Sequence, residues 1–477
     1  MDTLTNEQKD VLTTLTKGHN VFMTGCGGTG KSYLIRIIQE TLSKRIGVTA
    51  LTGCAALLLE GRNKAKTLHS WSGIGLGKES VGDLITRVRR NGRAKKNWTS
   101  TDLLIVDEVS MLTADLLEKL DLIGQNLRRD TRPFGGLQLL LVGDFYQLPP
   151  VVKGSPAVYA FESERWPLLV PKTIVLRTIH RQKDPAFQTL LTEARTGSLS
   201  EASCAILTSR MGRDWTSLKI RPTLLFPRKA EVDAINDANL KALTGVSHTF
   251  KASLAGATER EKKDPGFQRT IEYMDRDAQY KEEIDLAVGA QVMLLFNMNP
   301  DAGLVNGSRG VVTGFKTVGD TVQPIVQFMN DMKIPIEPHE WEVDGYKGIM
   351  RKQLPLLLAW ACTIHKAQGS TLDSALIDIG TNTFECGQAY VALSRVKSLE
   401  ALYVHDFAPA AFKTNPKVDA FYKRLATSVT AATVTSVTAA TSVTTVTSVA
   451  TSNATSNAIS AESMSTNAIT TNGTQIG

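Results

Sequence analysis

The sequence predicts an α/β protein whose buried strands end in polar, chemistry-bearing turns. Three observations carry that expectation. Short apolar runs recur early in the chain, at 20–23, 103–106 and 137–142, with the length and bulk of buried parallel strands. The first is followed by a glycine-rich stretch, Gly25–Ser32, and then by a segment, 33–38, whose apolar positions fall about a turn apart. Further along, between about 246 and 350, charged loops alternate with short strand-like runs, a texture unlike the first half.

Gly25-Cys26-Gly27-Gly28-Thr29-Gly30-Lys31-Ser32 fits the G-x-x-x-x-G-K-[ST] pattern and sits at the strand-to-helix junction that pattern needs. Its glycines let backbone N–H groups close around phosphate oxygens, and the helix start adds partial positive charge. Lys31 is then expected to reach the β- and γ-phosphates and the Ser32 hydroxyl to bind magnesium.

The run at 103–106 ends in Asp107-Glu108. A carboxylate at a strand end beside a phosphate loop can hold magnesium, and its neighbour can orient and deprotonate a water. Vicinal carboxylates are costly unless a cation or a proton relieves them. The run at 137–142 leads into Gly143-Asp144-Phe145-Tyr146-Gln147, and tandem prolines at 149–150 end the element. Gln147 is placed to contact a γ-phosphate.

The 477 residues allow two or three domains. From about residue 426 the chain cycles through Ser, Thr, Val and Ala, with no Lys or Arg and one acidic residue, Glu462. That tail reads as a disordered appendage. The basic excess, 54 Lys and Arg against 47 Asp and Glu, therefore belongs to the folded part and suits a phosphate-backbone partner. Five cysteines are scattered singly, which argues against a disulfide framework or a zinc site and for a reducing intracellular compartment. No apolar run approaches membrane-spanning length, so no membrane partner is expected. The first residues show neither signal-peptide nor transit-peptide character, which leaves nucleus or cytoplasm, according to host, ahead of the mitochondrion.

Further strand ends carry polar groups. The stretch 48–56 runs into a small-residue turn holding Thr52, and 67–75 contains His69 and Trp71. Hydroxyls and glycine amides there suit backbone phosphates, and His69 or Trp71 can stack on a base, although Trp71 fits a core position equally well. The basic run from Arg87 to Lys96 fits a nucleic-acid contact, a solvated face or an import signal. In the second half, Arg181 precedes a helical pattern over 185–195, 222–226 reads as a strand and 230–243 as a helix. Strands are expected at 291–296, 310–315 and 323–328, with Asn306-Gly307 a tight-turn signal. Arg395 closes an apolar helix-like segment that starts at Gln388; it can answer an anion or make a structural ion pair.

The ordered set GCGGTGKS, TALTGCAA, TLHSWSGIG, IVDEVSML, GGLQLLLVGDFYQLPPV, HRQ, VNGSRGVV, QLPLLLAWACTIHKAQGSTLD and QAYVALSR resembles the superfamily-one DNA helicases. The resemblance is to their petite-integration-frequency (PIF-type), RecD-like branch and spans residues 4–424. It implies two RecA-like P-loop NTPase domains, a small SH3-like β-rich insertion and the disordered C-terminal tail. Boundaries are expected at 1–170 for the first RecA-like domain, 171–245 with 350–425 for the second, 246–349 for the insertion and 426–477 for the tail.

The resemblance also implies ATP and magnesium as cofactors and 5′-to-3′ translocation on single-stranded DNA. Gln8 is assigned to reading adenine. Gly25 to Ser32 and Gly369 would bind the nucleotide; Ser32 and Asp107 would bind the metal. Lys31, Asp107, Glu108, Gln147, Arg181 and Arg395 are assigned to catalysis, the two arginines across the cleft. Thr52, His69, Trp71, Thr363 and His365 are candidates for the DNA track. Cys26 stands where the family usually has alanine and Val109 where isoleucine is usual. The long N-terminal extension of many eukaryotic members is not in this sequence, and functions tied to it are not expected.

The implied function is an ATP-dependent helicase of replication, repair, recombination or telomere maintenance. It would act as a monomer on single-stranded and forked DNA, alongside single-strand-binding proteins. A single-strand-stimulated ATPase switch or loading factor would carry the same ATP-site motifs, and an RNA helicase differs only in discrimination at the 2′-OH. What separates a helicase from a switch is a pin, expected between Ile74 and Trp98, in contact with the inserted module.

Overall fold

Val21–Gly25 (β1) pairs in parallel on both sides, with Gln138–Gly143 (β5) and with Lys172–Leu176 (β6). Ile46–Ala50 (β2), Ala65–Thr67 (β3) and Leu103–Asp107 (β4) complete a six-stranded sheet of order β3-β2-β4-β5-β1-β6. All of its pairings are parallel. The computed structural model describes residues 4–427 apart from 60, 151–157, 217, 219, 279, 300–301, 320, 344–345 and 347.

Parallel pairing forces every connection to cross a face of the sheet, so β1, β2, β4 and β5 are buried along their whole length. That is why these strands read as continuous apolar runs. Their core includes Val21, Met23, Ile35, Ile38, Val48, Ile105, Leu140 and Val142, and each such side chain is worth about 1.5–3 kcal/mol of burial. The same topology gathers the carboxyl ends of β4, β5 and β1 side by side. Asn6–Thr16 (α1) packs near them, started by a capping box in which the Thr5 hydroxyl accepts from Gln8 N–H and Gln8 Oε1 accepts from Thr5 N–H. Lys31–Thr41 (α2) has no side-chain cap at its start, which leaves its first N–H groups available to an anion.

The second sheet has four parallel strands in the order Ala361–Thr363, Thr223–Phe226, Ala375–Ile379, Leu402–Phe407. Between its first two strands in sequence lies the β-rich part. It contains a five-stranded antiparallel sheet of Lys333–Pro335, Thr321–Phe328, Arg309–Val318, Gln291–Leu294 and Leu356–Leu358. Two smaller antiparallel sheets accompany it.

Three expectations need adjusting. The boundary at 170 falls too early, because β6 (172–176) hydrogen-bonds to β1 and belongs to the first sheet. The boundary at 349 also falls early, because Leu356–Leu358 pairs with Gln291–Leu294 inside the antiparallel sheet. Within 246–350, expected to alternate charged loops with strands, Glu259–Lys262 forms a short helix instead, capped by Thr258 through a capping box with Glu261. Residues 428–477, most of the expected tail, lie outside the described residues. The chain forms one unit to Asn415 and another from Pro416, whose described residues are helical.

Candidate functional site

The phosphate loop connects β1 to α2, and the backbone explains its glycines. Gly28 and Gly30 have φ of 88° and 82°, a region that side chains resist. A Cβ on Gly28 would also lie 2.8 Å from Gln182 Oε1 and 2.9 Å from Arg181 Cβ, and one on Gly27 would lie 3.1 Å from Ser394 Cβ. The loop is thus covered by residues from the far side of a closed cleft. Thr29 is buried and donates from its hydroxyl to the Cys26 carbonyl at 2.9 Å. Gln8 reaches the same loop, its Nε2 being 3.1 Å from where a Gly30 Cβ would sit. Ser32 is exposed at the start of α2.

Lys31 Nζ donates to the carbonyls of Gly25 (2.8 Å) and Cys26 (3.0 Å). Burial lowers its pKa, while the carboxylates of Asp144, Glu108 and Asp107 pull it back. Asp107 ends β4 and is pushed up to about 7 by burial and then by Glu108, an effect only partly offset by Lys31 and by the backbone N–H of Glu108. Glu108 adopts a left-handed conformation, φ 57°, unusual for a side-chain-bearing residue and worth about 1–3 kcal/mol of strain. The strain turns its carboxylate away from the strand and toward Gln368, whose Nε2 donates to Glu108 Oε2 at 3.0 Å.

Two arginines close the opposite wall. Arg395 is buried and spends its donors on neutral groups: the Val391 carbonyl (3.0 Å), the Ser370 carbonyl (3.2 Å) and the Ser394 hydroxyl (2.7 Å). Arg181 donates to the Ser394 carbonyl at 2.9 Å. Burial and repulsion from Arg395 bring Arg181 down to about 10, and burial lowers Arg395. Among the described residues neither arginine, nor Lys31, makes an ion pair with a carboxylate. Gln147, Gln182 and Gln368 are buried too, and each keeps a side-chain carbonyl without a partner. Such a cationic, under-satisfied cleft is arranged for an anion with further donors around it. Gly369, at φ 82°, follows Gln368; a Cβ there would come 4.0 Å from Glu108 Oε1.

Residues that the motif reading passed over bind the two walls together. Asp144, just past β5, accepts from Arg195 Nη2 (2.8 Å) and Nε (2.9 Å) and from the Tyr390 hydroxyl (3.2 Å). Tyr390 Oη in turn accepts from Gly27 N–H at 2.7 Å. Burial raises the Tyr390 pKa, so the phenol keeps its proton and can donate. A carboxylate just past a strand end is the signal that could have singled out Asp144, and nothing in sequence links it to Arg195 or Tyr390.

The strand-track candidates divide. Thr52 follows β2, its hydroxyl accepting from Ala55 N–H at 3.2 Å, and His69 follows β3. Thr363 caps the short helix Ile364–Ala367 at the end of the edge strand of the second sheet, and His365 lies within it. Trp71 does not belong with them. It is buried, 5.1 Å from the ring of Trp98 and against Gly47 of β2, where a Cβ would fall 2.8 Å from Trp71 Nε1. No face of the indole is open to a base. Phe384, overlooked in the sequence, supplies the exposed aromatic instead: 52 % exposed, its ring nearly parallel to His365 (22°) with centroids 6.4 Å apart.

Comparison with known proteins agrees with this geometry. Residues 3–206 match the PIF1-like helicase family, and residues 279–315 match the Pif1 DNA helicase 2B domain. The chain is 39% identical over 430 residues to the human ATP-dependent DNA helicase PIF1, covering 88% of this chain and 64% of that relative's length. It therefore spans a little under two thirds of the human protein. The crystal structure of Pif1 helicase from Candida albicans superposes with a TM-score of 0.74 at 36% identity, covering 89% of this chain and 100% of that one. A Bacteroides Pif1 helicase in complex with ADP-AlF3 and ssDNA gives a TM-score of 0.63 at 26% identity, over 89% and 97% of the two chains. Two parallel sheets of RecA-like type with an antiparallel insertion, a complete phosphate loop and these similarities lead to one statement: the chain belongs to the PIF1-like helicase family.

Proposed function

We propose that this protein hydrolyses ATP to move 5′ to 3′ along single-stranded DNA and to unwind duplex DNA ahead of it. One observation carries the reading: Lys31, Arg181 and Arg395 converge on one phosphate loop from both sides of a cleft that also holds Asp107 and Glu108, with no ion pair to a carboxylate among the described residues. The Bacteroides relative was crystallised with a nucleotide analogue and ssDNA, which supports the same pair of ligands here.

In this mechanism, backbone N–H groups of the loop and α2 cradle the phosphates, and Lys31 leaves its carbonyl partners for them. Arg181 and Arg395 stabilise charge on the transferred phosphoryl group, and Gln147 contacts its oxygens. Glu108 takes the proton of the attacking water. Ser32 and Asp107 fit a magnesium ion: a hydroxyl and a carboxylate are the hard oxygen donors it prefers, and the raised Asp107 pKa marks a carboxyl pair that a cation would relieve. The ion would supply charge neutralisation at the phosphates. Hydrolysis removes the anion that draws the walls together, and the cleft can part.

A specific contact favours unwinding over a switch-like ATPase. Arg93, on the helix Gly92–Ser100, makes an ion pair at 2.6 Å with Glu342 of the β-rich insertion. The helical segment after β3 is thereby tied to the inserted module, as a pin braced by that module requires. Forked DNA is the substrate this arrangement suits, with a monomer as the working unit and single-strand-binding proteins as neighbours on the strand. Among the described residues Cys26, Cys204, Cys362 and Cys386 form no disulfide, which fits a reducing compartment, nucleus or cytoplasm. Among the described residues no helix is long and apolar enough to cross a membrane.

The test is unwinding of forked duplexes carrying a single 5′ or 3′ tail, with ATP and magnesium, comparing the wild type with Lys31→Ala. Unwinding from the 5′ tail alone, lost in the variant, is the expected result. Strand-stimulated ATP hydrolysis with no unwinding from either tail would establish the switch instead.

A further inference from the structure

We infer that Gln368 is a positioning residue for hydrolysis: it aims the Glu108 carboxylate and offers the second hydrogen-bond acceptor to the attacking water. The inference rests on the ATP-hydrolysing function proposed above.

An ionised carboxylate only accepts hydrogen bonds, so the Gln368 amide must turn its NH₂ toward Glu108, as found, with Nε2 at 3.0 Å from Oε2. That fixes Oε1 on the other side of the amide. Gln368 is 5 % exposed, and Oε1 has no hydrogen-bond partner among the described residues. An orphaned buried acceptor is costly, and its orientation here is dictated by Glu108 rather than by its own needs. One amide thus holds Glu108 through its NH₂ and keeps a buried, unpartnered acceptor, Oε1, on the same side chain. A water has two O–H donors. One directed to Glu108 and one to Gln368 would leave its lone pair free to face the γ-phosphorus. As the new O–P bond forms and the bond to the β–γ bridging oxygen breaks, the proton passes to Glu108, and Gln368 changes neither charge nor protonation.

The backbone holds Gln368 in place. It follows the helix Ile364–Ala367, its N–H bonded to the His365 carbonyl at 3.2 Å. Gly369 turns the chain at φ 82°, and the next carbonyl, that of Ser370, accepts from Arg395. One short segment therefore carries two strand-track candidates, Thr363 and His365, the grip on the base and the anchor of an arginine. Glu108 belongs to the opposite wall, so it is oriented only while the cleft is closed.

The test compares wild type, Gln368→Ala and the isosteric Gln368→Glu in steady-state ATP hydrolysis with saturating single-stranded DNA, each also combined with Glu108→Gln. DNA affinity by fluorescence anisotropy reports folding. A misplaced reacting group costs about 10²-fold in rate. The expected result is a kcat lower by about that factor in both single variants, with KM for ATP and DNA affinity unchanged within threefold. In the Glu108→Gln background the Gln368 changes should cost almost nothing more, since both residues act on one water. Variants that keep the wild-type kcat, or losses that multiply with Glu108→Gln, would overturn the inference and leave the proposed function standing. A wild type without ATP hydrolysis would overturn both.

Discussion

Arg195 and Asp144 form a bidentate pair, at 2.8 and 2.9 Å, across the closed cleft. Asp144 is wholly buried and Arg195 partly so, and the guanidinium also lies 4.6 Å above the centre of the Tyr146 ring. Through Tyr390 the pair reaches Gly27 of the phosphate loop. The closed state is therefore held by a buried polar network next to the nucleotide site as well as by apolar packing.

Breaking that pair should be expensive. Arg195→Met takes the bidentate cation away from a buried carboxylate that also accepts from the Tyr390 hydroxyl and Tyr146 N–H, a loss of about 3–5 kcal/mol for buried pairs of this kind. Urea unfolding checks it. Burial alone would raise the Asp144 pKa, but the charge and hydrogen bonds of Arg195 outweigh it and hold it below the ordinary carboxylate value. The pair's contribution should thus be fully present above the unfolded value near pH 4 and decline only as pH falls through the lower folded value. A stability-versus-pH curve for Arg195→Met should converge on the wild type at the acid end.

Removing either cleft arginine should abolish turnover while sparing nucleotide binding far more. Arginines that meet a transferred phosphoryl group are worth about 10³–10⁵ in rate. Arg395→Ala and Arg181→Ala, assayed for ATP hydrolysis under saturating DNA, should fall by amounts in that range. An effect confined to thermal stability would reduce these residues to struts.

Arg93 and Glu342 should matter to unwinding and hardly at all to folding. Both are partly exposed, 37 % and 25 %, and such pairs contribute about 0–1 kcal/mol. Arg93→Glu should weaken unwinding of a forked duplex while strand-stimulated ATP hydrolysis stays within about twofold. The reversed pair, Arg93→Glu with Glu342→Arg, should restore it. Equal losses of unwinding and hydrolysis would remove the pin-brace role.

Phe384 and Trp71 should separate binding from stability. Stacking on a base is worth about 1–3 kcal/mol, so Phe384→Ala should lower single-strand affinity by roughly 5- to 150-fold in anisotropy titrations with little change in melting. Trp71→Ala empties a packed site between Trp98 and β2 and should cost about 3–5 kcal/mol of stability. Unchanged affinity in Phe384→Ala would take that ring off the strand track.

Local chemistry was legible in the sequence wherever covalent neighbours suffice. The phosphate loop needs only consecutive residues, because positive φ at Gly28 and Gly30, Lys31 and the helix start all lie within one turn. Buried parallel strands announce themselves as unbroken apolar runs, so β1, β4 and β5 and the acidic pair ending β4 were readable, and the ordered motifs disclosed the family.

Residues that act through distant partners were decided only by the tertiary structure. Trp71 is a core residue because Gly47 and Trp98 close over it, and no local pattern distinguishes that from an exposed ring. Strand β6 belongs to the first sheet, and Leu356–Leu358 to the antiparallel one, because hydrogen-bond partners are chosen in space. Gln368 meets Glu108 across 260 residues of chain, and Arg195 meets Asp144 across 51. A side chain's type limits which bonds it can make, but burial and geometry choose its partner, and both arise only when the two walls of the cleft come together.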